Sequence, residues 1–350
     1  MTVAILIMVV GLAAANGAND VSKGVATLAG AGVTAYRTAI LWGATTTLAG
    51  ALLSISLGRN MGKLFSKGII SGDPTEAFSL AVLVGTCTWV TFASIAKLPV
   101  STTHAIVGSL VGAGLVLTPS SVQWQGVAQK VALPLLLSIV VAYTISVLLA
   151  LIVQGGRRMT SRRRAPDPVL VGVGGRTQDQ AEAGSPEETP TEHRLAVADR
   201  IVSLLHWISS GATGCARGLN DTPKIAAIGG FALLPAGYSA TSISLLVGGA
   251  MAVGSLAGIR VAKTLGDKVV KMTHAEGFTA NLTAAGLVGS GAILALPMST
   301  THVSTSAIVG SAGLQFNRIS GRTVRDFVIA WTVTPFVAAT IAAVVFAVAG

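Results

Sequence analysis

Asn16-Gly-Ala-Asn-Asp-Val-Ser-Lys-Gly24 and Arg217-Gly-Leu-Asn-Asp-Thr-Pro-Lys224 are two versions of one phrase: Asn19-Asp20 returns as Asn220-Asp221 about 200 residues later. A second phrase is doubled at nearly the same interval. Pro99-Val-Ser-Thr-Thr-His104 recurs as Pro297-Met-Ser-Thr-Thr-His302, each followed by a Val-Gly-Ser, at 107–109 and 309–311. Between them, Glu76-Ala-Phe-Ser79 answers Glu276-Gly-Phe-Thr279. Internal repetition of polar breakers inside apolar sequence is the mark of a secondary transporter, whose substrate and ion sites sit at the junction of two repeats.

Composition places those repeats in a bilayer. The 350 residues are 51% hydrophobic and only 11% charged, against about 25% charged for a soluble domain. Apolar runs at 36–57, 78–96, 128–153, 240–257 and 327–349 approach or exceed the roughly 20 residues that cross a hydrocarbon core as helix. The abundance of Gly and Ala in those runs suits close helix contact in lipid. The predicted fold class is therefore an all-α polytopic membrane protein in two homologous repeats. Cys87 and Cys215 stand singly in apolar surroundings and suggest neither a disulfide framework nor a zinc site. Trp42, Trp89, Trp124, Trp207 and Trp331 are scattered as interfacial anchors would be.

Residues 154–198 divide the chain. They hold Arg157, Arg158 and Arg162 to Arg164, a Pro/Gly stretch and several carboxylates, which reads as a solvated linker, disordered in character. The Arg cluster behind the span ending near Val153 puts this loop in the cytoplasm. The division is then 1–153 for the first transmembrane repeat, 154–198 for the linker and 199–350 for the second repeat. The net charge of +10 reads either as positive-inside loops or as a bias toward an anionic substrate.

The doubled phrases have a chemical reading. A bare carboxylate at mid-membrane is costly, so an interruption is expected at Gly17-Ala-Asn-Asp20, with Asn19 or Asp20 capping a half-helix that starts at Val21. Pro223 fits the first turn of the matching half-helix. Pro99-Val-Ser101 and Pro297-Met-Ser299 likewise read as helix N-termini rich in hydroxyls, and the Gly-rich stretches after them are short enough for re-entrant hairpins. Four helix N-termini meeting near the midplane would form an anion site. Ser101, Thr102, Thr103, Ser299, Thr300 and Thr301 would replace the hydration of a small tetrahedral oxyanion there.

Asp20 and Asp221 repel such an anion and so require a cation or a proton. With Asn19 and Asn220 they offer hard oxygen ligands for Na⁺, and carrying the anion together with a cation is the physical case for symport. Glu76 and Glu276 are further candidate coupling carboxylates, beside the plainer reading of solvated helix-end groups. Lys23 and Lys224, three residues after each Asp, read equally as structural ion pairs and as anion contacts. His104 and His302 fit a hydrogen-bonded role in the helix contacts better than a titrating one.

Asn16-Gly-Ala-Asn-Asp20, Gly218-Leu-Asn-Asp221 and the two Pro-X-Ser-Thr-Thr-His motifs resemble the inorganic phosphate transporter family, which includes sulfate permeases. The resemblance spans both halves and implies inverted repeats, a cation-coupled phosphate or sulfate permease in a bacterial-type plasma membrane, and a homodimer. It also implies that Asn19, Asp20, Asn220 and Asp221 lie in the substrate and cation region, with the Ser/Thr motifs lining the anion site. The chain departs from the family at Ser22-Lys23 and Thr222-Pro223-Lys224. An anion channel fits the paired carboxylates less well. An enzyme is not expected, because Ser101 with His104 lacks a third partner to orient the base. No phosphate-binding nucleotide loop, cofactor or nucleic-acid motif is present.

Overall fold

The computed structural model describes residues 1–72, 74–162, 190–269 and 272–350. Of the predicted linker, 163–189 lie outside the described residues; its flanks are helical, through Arg162 and from Pro190. Among the described residues the regular elements are all helices, joined by short loops, with one isolated bridge between Ile70 and Val122.

The first half runs α1 (Thr2–Asp20), α2 (Ser22–Gly30), α3 (Tyr36–Leu57), α4 (Arg59–Lys67), α5 (Glu76–Ile95), α6 (Thr102–Leu117) and, after a π-helical turn, α7 (Leu133–Arg162). The second runs α8 (Pro190–Leu233), α9 (Ala240–Ser255), α10 (Ile259–Lys268), α11 (His274–Ile293), α12 (Thr300–Ser311) and α13 (Gly321–Ala349). Among the described residues, 2–30, 36–57, 76–95, 126–155 and 321–349 are each long and apolar enough to cross a membrane. The pair α9 and α10 forms a sixth crossing if bent as one span, with 63° between its parts. These helices make the chain an integral, multi-pass membrane protein.

Elements of the two halves exchange partners. Helix α1 packs on α9 and α3 on α8, while α6 packs on α13 and α12 on α7. Glycine makes the first two crossings possible. A Cβ on Gly17 would strike the Met251 carbonyl of α9, and one on Gly218 would strike the Thr47 carbonyl of α3. With no directional apolar force between helices in lipid, such backbone approach is what holds them. Gly218→Val should therefore leave no monodisperse protein on size-exclusion chromatography in detergent, whereas Gly249→Ala, where a Cβ meets open space, should elute as the parent does.

At the first Asn-Asp phrase the helix is interrupted only at Val21, between α1 and α2, without a side-chain cap and without unwinding; at the second it is not interrupted. Val21 keeps helical dihedrals (φ −56°, ψ −31°) and its N–H donates to the Gly17 carbonyl at 3.1 Å. Helix α8 runs unbroken for 44 residues through Asn220, Asp221 and Pro223. The physical reason is local. Each Asp meets a lysine one turn later, Lys23 Nζ at 2.6 Å from Asp20 and Lys224 Nζ at 3.2 Å from Asp221, so neither carboxylate is bare and the helix need not open.

The Pro-X-Ser-Thr-Thr-His phrases do begin helices. Ser101 and Ser299 have extended backbones, and their hydroxyls accept from the His104 and His302 N–H groups, both at 3.2 Å. This is an N-cap at matching positions. The chain enters each cap from a hairpin turn that closes in the same way twice. Lys97 and Ala295 take left-handed φ of 63° and 55°, and the Leu98 and Leu296 N–H groups return to Ala93 and Gly291 carbonyls, the bond that terminates a helix in a left-handed cap. Helices α5 and α6, and α11 and α12, are thereby folded back on each other, with α6 and α12 pointing their N-termini inward.

Candidate anion site between two helix tips

The two Ser-Thr-Thr tips lie against one another. Thr301 Oγ1 donates to the Val100 carbonyl at 2.7 Å, and the His104 and His302 rings sit 4.5 Å apart. Trp331 packs 4.2 Å from His302 and donates to the Pro99 carbonyl at 3.1 Å. Buried there, it is a brace for the first tip and not the interfacial anchor expected of it. His104 Nδ1 bonds Ser101 Oγ at 2.7 Å, whereas the His302 ring packs against His104 and Trp331 with both of its nitrogens buried and without a hydrogen-bond partner.

Helices α1 and α8 present their polar phrases to these tips, each half serving the other. Asn16 Nδ2 donates to Thr102 Oγ1 at 2.9 Å and to Asp221 Oδ2 at 3.4 Å. Thr300 Oγ1 donates to Asp20 Oδ2 at 2.9 Å, and Lys224 Nζ to Thr103 Oγ1 at 2.8 Å. Asn19 ties α1 to the first tip, donating to Ser94 Oγ and the Leu98 carbonyl and accepting from the Val100 N–H. Asn220 mirrors it, donating to Asp221 Oδ1 at 2.8 Å and the Met298 carbonyl at 3.1 Å. All of these side chains but the half-buried Ser94 are buried. Two capped helix N-termini, those of α6 and α12, face this cluster, and α1, α2 and the continuous α8 supply side chains to it.

The sequence reading gave no role to Arg217, one turn before Asp221 on α8. It is 1% exposed and donates to the Gly17 carbonyl (3.3 Å), Ser255 Oγ (3.1 Å) and Thr47 Oγ1. One guanidinium thus ties α8 to α1, α3 and α9. The signal was available as a third charge inside an apolar stretch, but a search for matched pairs passes over it because its counterpart in the first half is Asn16.

Buried charge in the cluster comprises Asp20 and Asp221 against Lys23, Lys224 and Arg217. Counted in their ordinary ionised forms, three cations against two carboxylates leave a formal charge of +1, which is complementary to a monoanion. Glu76 and Glu276 stand apart from this cluster. Glu76 is exposed in the first turn of α5. Glu276 completes a capping box with Thr273 and an ion pair with Arg318 at 2.6 Å; both glutamates are accounted for as helix-end groups, not as neighbours of the Asp pair.

A cavity of about 1130 Å³ opens beside α4, lined by Arg59, Lys63, Lys67 and Ser54, and reaches Pro223 on α8. Pro223 lies between Asp221 and Lys224 in sequence, but neither of those side chains lines the cavity. Its three basic side chains raise the local concentration of anions.

Residues 16–342 match the sequence profile of the phosphate transporter family. The chain belongs to that family. It is 28% identical to the "Putative phosphate permease" of Pyrococcus abyssi over 97% of this chain and 96% of that one. It is 27% identical to the "Probable low-affinity inorganic phosphate transporter" of Rhizobium meliloti (95% and 91%). It is also 28% identical to the chloroplastic "Inorganic phosphate transporter 2-1" of Arabidopsis thaliana, covering 94% of this chain and 68% of that one. A solved structure titled "The sodium-dependent phosphate transporter" superposes with a TM-score of 0.74 over 99% of this chain and 98% of that one, at 21% identity. At that identity the likeness is one of fold. The family match reaches from Asn16 to near the end of α13 and so takes in every residue of the buried cluster.

Proposed function

We propose that this member of the phosphate transporter family is a secondary active permease that carries inorganic phosphate across the membrane by symport with a cation, Na⁺ or H⁺. The observation that carries the reading is the meeting of the α6 and α12 tips with Asn16, Asp20, Asp221 and Lys224 in a buried cluster of net charge +1. In this reading Ser101, Thr102, Thr103, Ser299, Thr300 and Thr301, with Asn19 and Asn220, form the substrate region. The basic cavity beside α4 is the approach to it. The two halves, taken as inverted repeats, rock about the site to expose it alternately. By resemblance the protein works as a homodimer.

A second observation favours phosphate over sulfate, the alternative cargo. The carbonyl oxygens of Asn16 and Asn220 are buried without a partner, while both amide nitrogens are committed to Asp221. Protonated phosphate has P–O–H donors to offer such acceptors and sulfate at neutral pH has none. A site built to receive a hydroxyl rejects an isostere that lacks it. Radiolabelled phosphate uptake into proteoliposomes, with unlabelled arsenate, sulfate and chloride as competitors, tests this. Block by arsenate and indifference to sulfate is the expected result. Uptake of sulfate in place of phosphate would move the assignment to sulfate permease.

Thr102→Val and Thr300→Val combined should raise the apparent KM for phosphate about tenfold, since each lost hydroxyl is worth ~0.5–1.5 kcal/mol. An unchanged KM would remove both hydroxyls from the site.

A further inference from the structure

Each lysine of the doubled phrase is held as a small cation would be. An ammonium has three donors and no acceptor. Lys23 Nζ spends its three on Asp20 Oδ1 (2.6 Å), Asn19 Oδ1 (2.9 Å) and the Asn19 carbonyl (3.1 Å). Lys224 Nζ spends its three on Thr103 Oγ1 (2.8 Å), Asp221 Oδ1 (3.2 Å) and the Met298 carbonyl (3.2 Å). Carboxylate, carbonyl, and amide or hydroxyl oxygens in one cage are the donor set of a hard cation. Both ammonium groups are buried.

The oxygens that the sequence offered to Na⁺ are therefore engaged. Asp20 gives Oδ1 to Lys23 and Oδ2 to Thr300. Asn19 Oδ1 accepts from Lys23 and from the Val100 N–H. Asp221 gives Oδ1 to Lys224 and Asn220, and Oδ2 to Asn16. Na⁺ at either Asp would have to displace an ammonium anchored three residues away, or sit beside it with two positive charges sharing one carboxylate. The residues present do not fit a dissociable Na⁺. Nor is one required for charge balance, since the cluster is already positive without it.

We propose that Lys23 and Lys224 are tethered counter-ions standing in the positions of a coupling metal cation, so that this chain binds and carries its anion without Na⁺. This rests on the phosphate-permease reading and narrows its symported ion by excluding Na⁺ from the Asp sites. It also gives the departures Ser22-Lys23 and Thr222-Pro223-Lys224 a role: each supplies a cation covalently.

The test uses the full-length protein in proteoliposomes, with phosphate uptake measured in Na⁺ or in choline medium at equal pH and ionic strength. Wild-type uptake should agree within twofold in the two media. Lys23→Ala, which leaves the Asp20–Asn19 cage to be filled from solution, should be at least tenfold slower in choline and regain most of that in Na⁺. Wild-type uptake that falls tenfold in choline would overturn the proposal. So would a well-folded Lys23→Ala indifferent to Na⁺. A direct measurement stands independently of that variant's folding and of the cargo: ²²Na⁺ binding to purified wild type should show no saturable component, and a saturable one would refute the tethered counter-ion. Absence of phosphate uptake in every medium would instead count against the permease reading, while the ²²Na⁺ result still judges the lysines.

Discussion

Asp20→Asn is expected to abolish phosphate accumulation while the protein still inserts in the membrane. The carboxylate holds Lys23 through Oδ1 and the tip of α12 through Thr300 on Oδ2, so it joins a counter-charge on its own helix to the substrate region of the other half. Its loss leaves an ammonium buried with amide and carbonyl partners only. Removing one partner of a buried ion pair costs about 3–5 kcal/mol, and the cluster charge rises from +1 to +2. Both effects oppose transport: the site is less stable, and an anion that enters it is held too firmly to leave. The separating control is Asp20→Asn with Lys23→Met, which removes both charges. It should recover most of the lost detergent melting temperature and none of the accumulation. Normal accumulation by Asp20→Asn would remove the carboxylate from the transport cycle.

Arg217→Met should be comparably severe for a different reason. The guanidinium supplies the surplus positive charge and reaches α1, α3 and α9 at once. Without it the cluster is formally neutral, and the Thr47 and Ser255 hydroxyl oxygens lose their donor inside the protein. Uptake should fall at least a hundredfold, with a lowered melting temperature. Arg217→Lys restores the charge but not the planar fork that spans three helices, so it should regain stability in part and uptake poorly. Wild-type uptake by Arg217→Lys would show that charge alone suffices. Wild-type uptake by Arg217→Met would show that the surplus charge is not used.

The spans were legible because hydrophobic length is a direct consequence of bilayer thickness: 36–57 and 78–96 return as α3 and α5 within a few residues. The α6 and α12 tips were legible too, because a proline followed by hydroxyls is both a break and a cap, and Ser101 and Ser299 cap as that chemistry requires. A boundary does fall at Val21, but the expected unwinding there and the expected interruption of α8 came from pricing Asp20 and Asp221 as isolated charges. The sequence already held the lysines that remove that cost, three residues away, and an intact helical turn is the geometry that brings them together. Asn16 and Lys224 could not be assigned to their partners on the opposite half because contacts such as Asn16 with Asp221 and Lys224 with Thr103 depend on how α1 and α8 cross the tips, which local pattern does not encode. Glu76 and Glu276 lie at helix starts away from the cluster. Repetition at matching positions suggested a shared role in coupling, yet a helix start repeats for structural reasons as well.

The transport site is defined by where the oxyanion sits. Arsenate is a phosphate analogue whose arsenic scatters anomalously, so crystals of the protein grown with arsenate would place it directly. A peak between the α6 and α12 tips, within hydrogen-bond reach of the Thr102, Thr103 or Thr300 hydroxyls, is the predicted result. A peak confined to the cavity at Arg59, Lys63 and Lys67, with nothing at the tips, would contradict it.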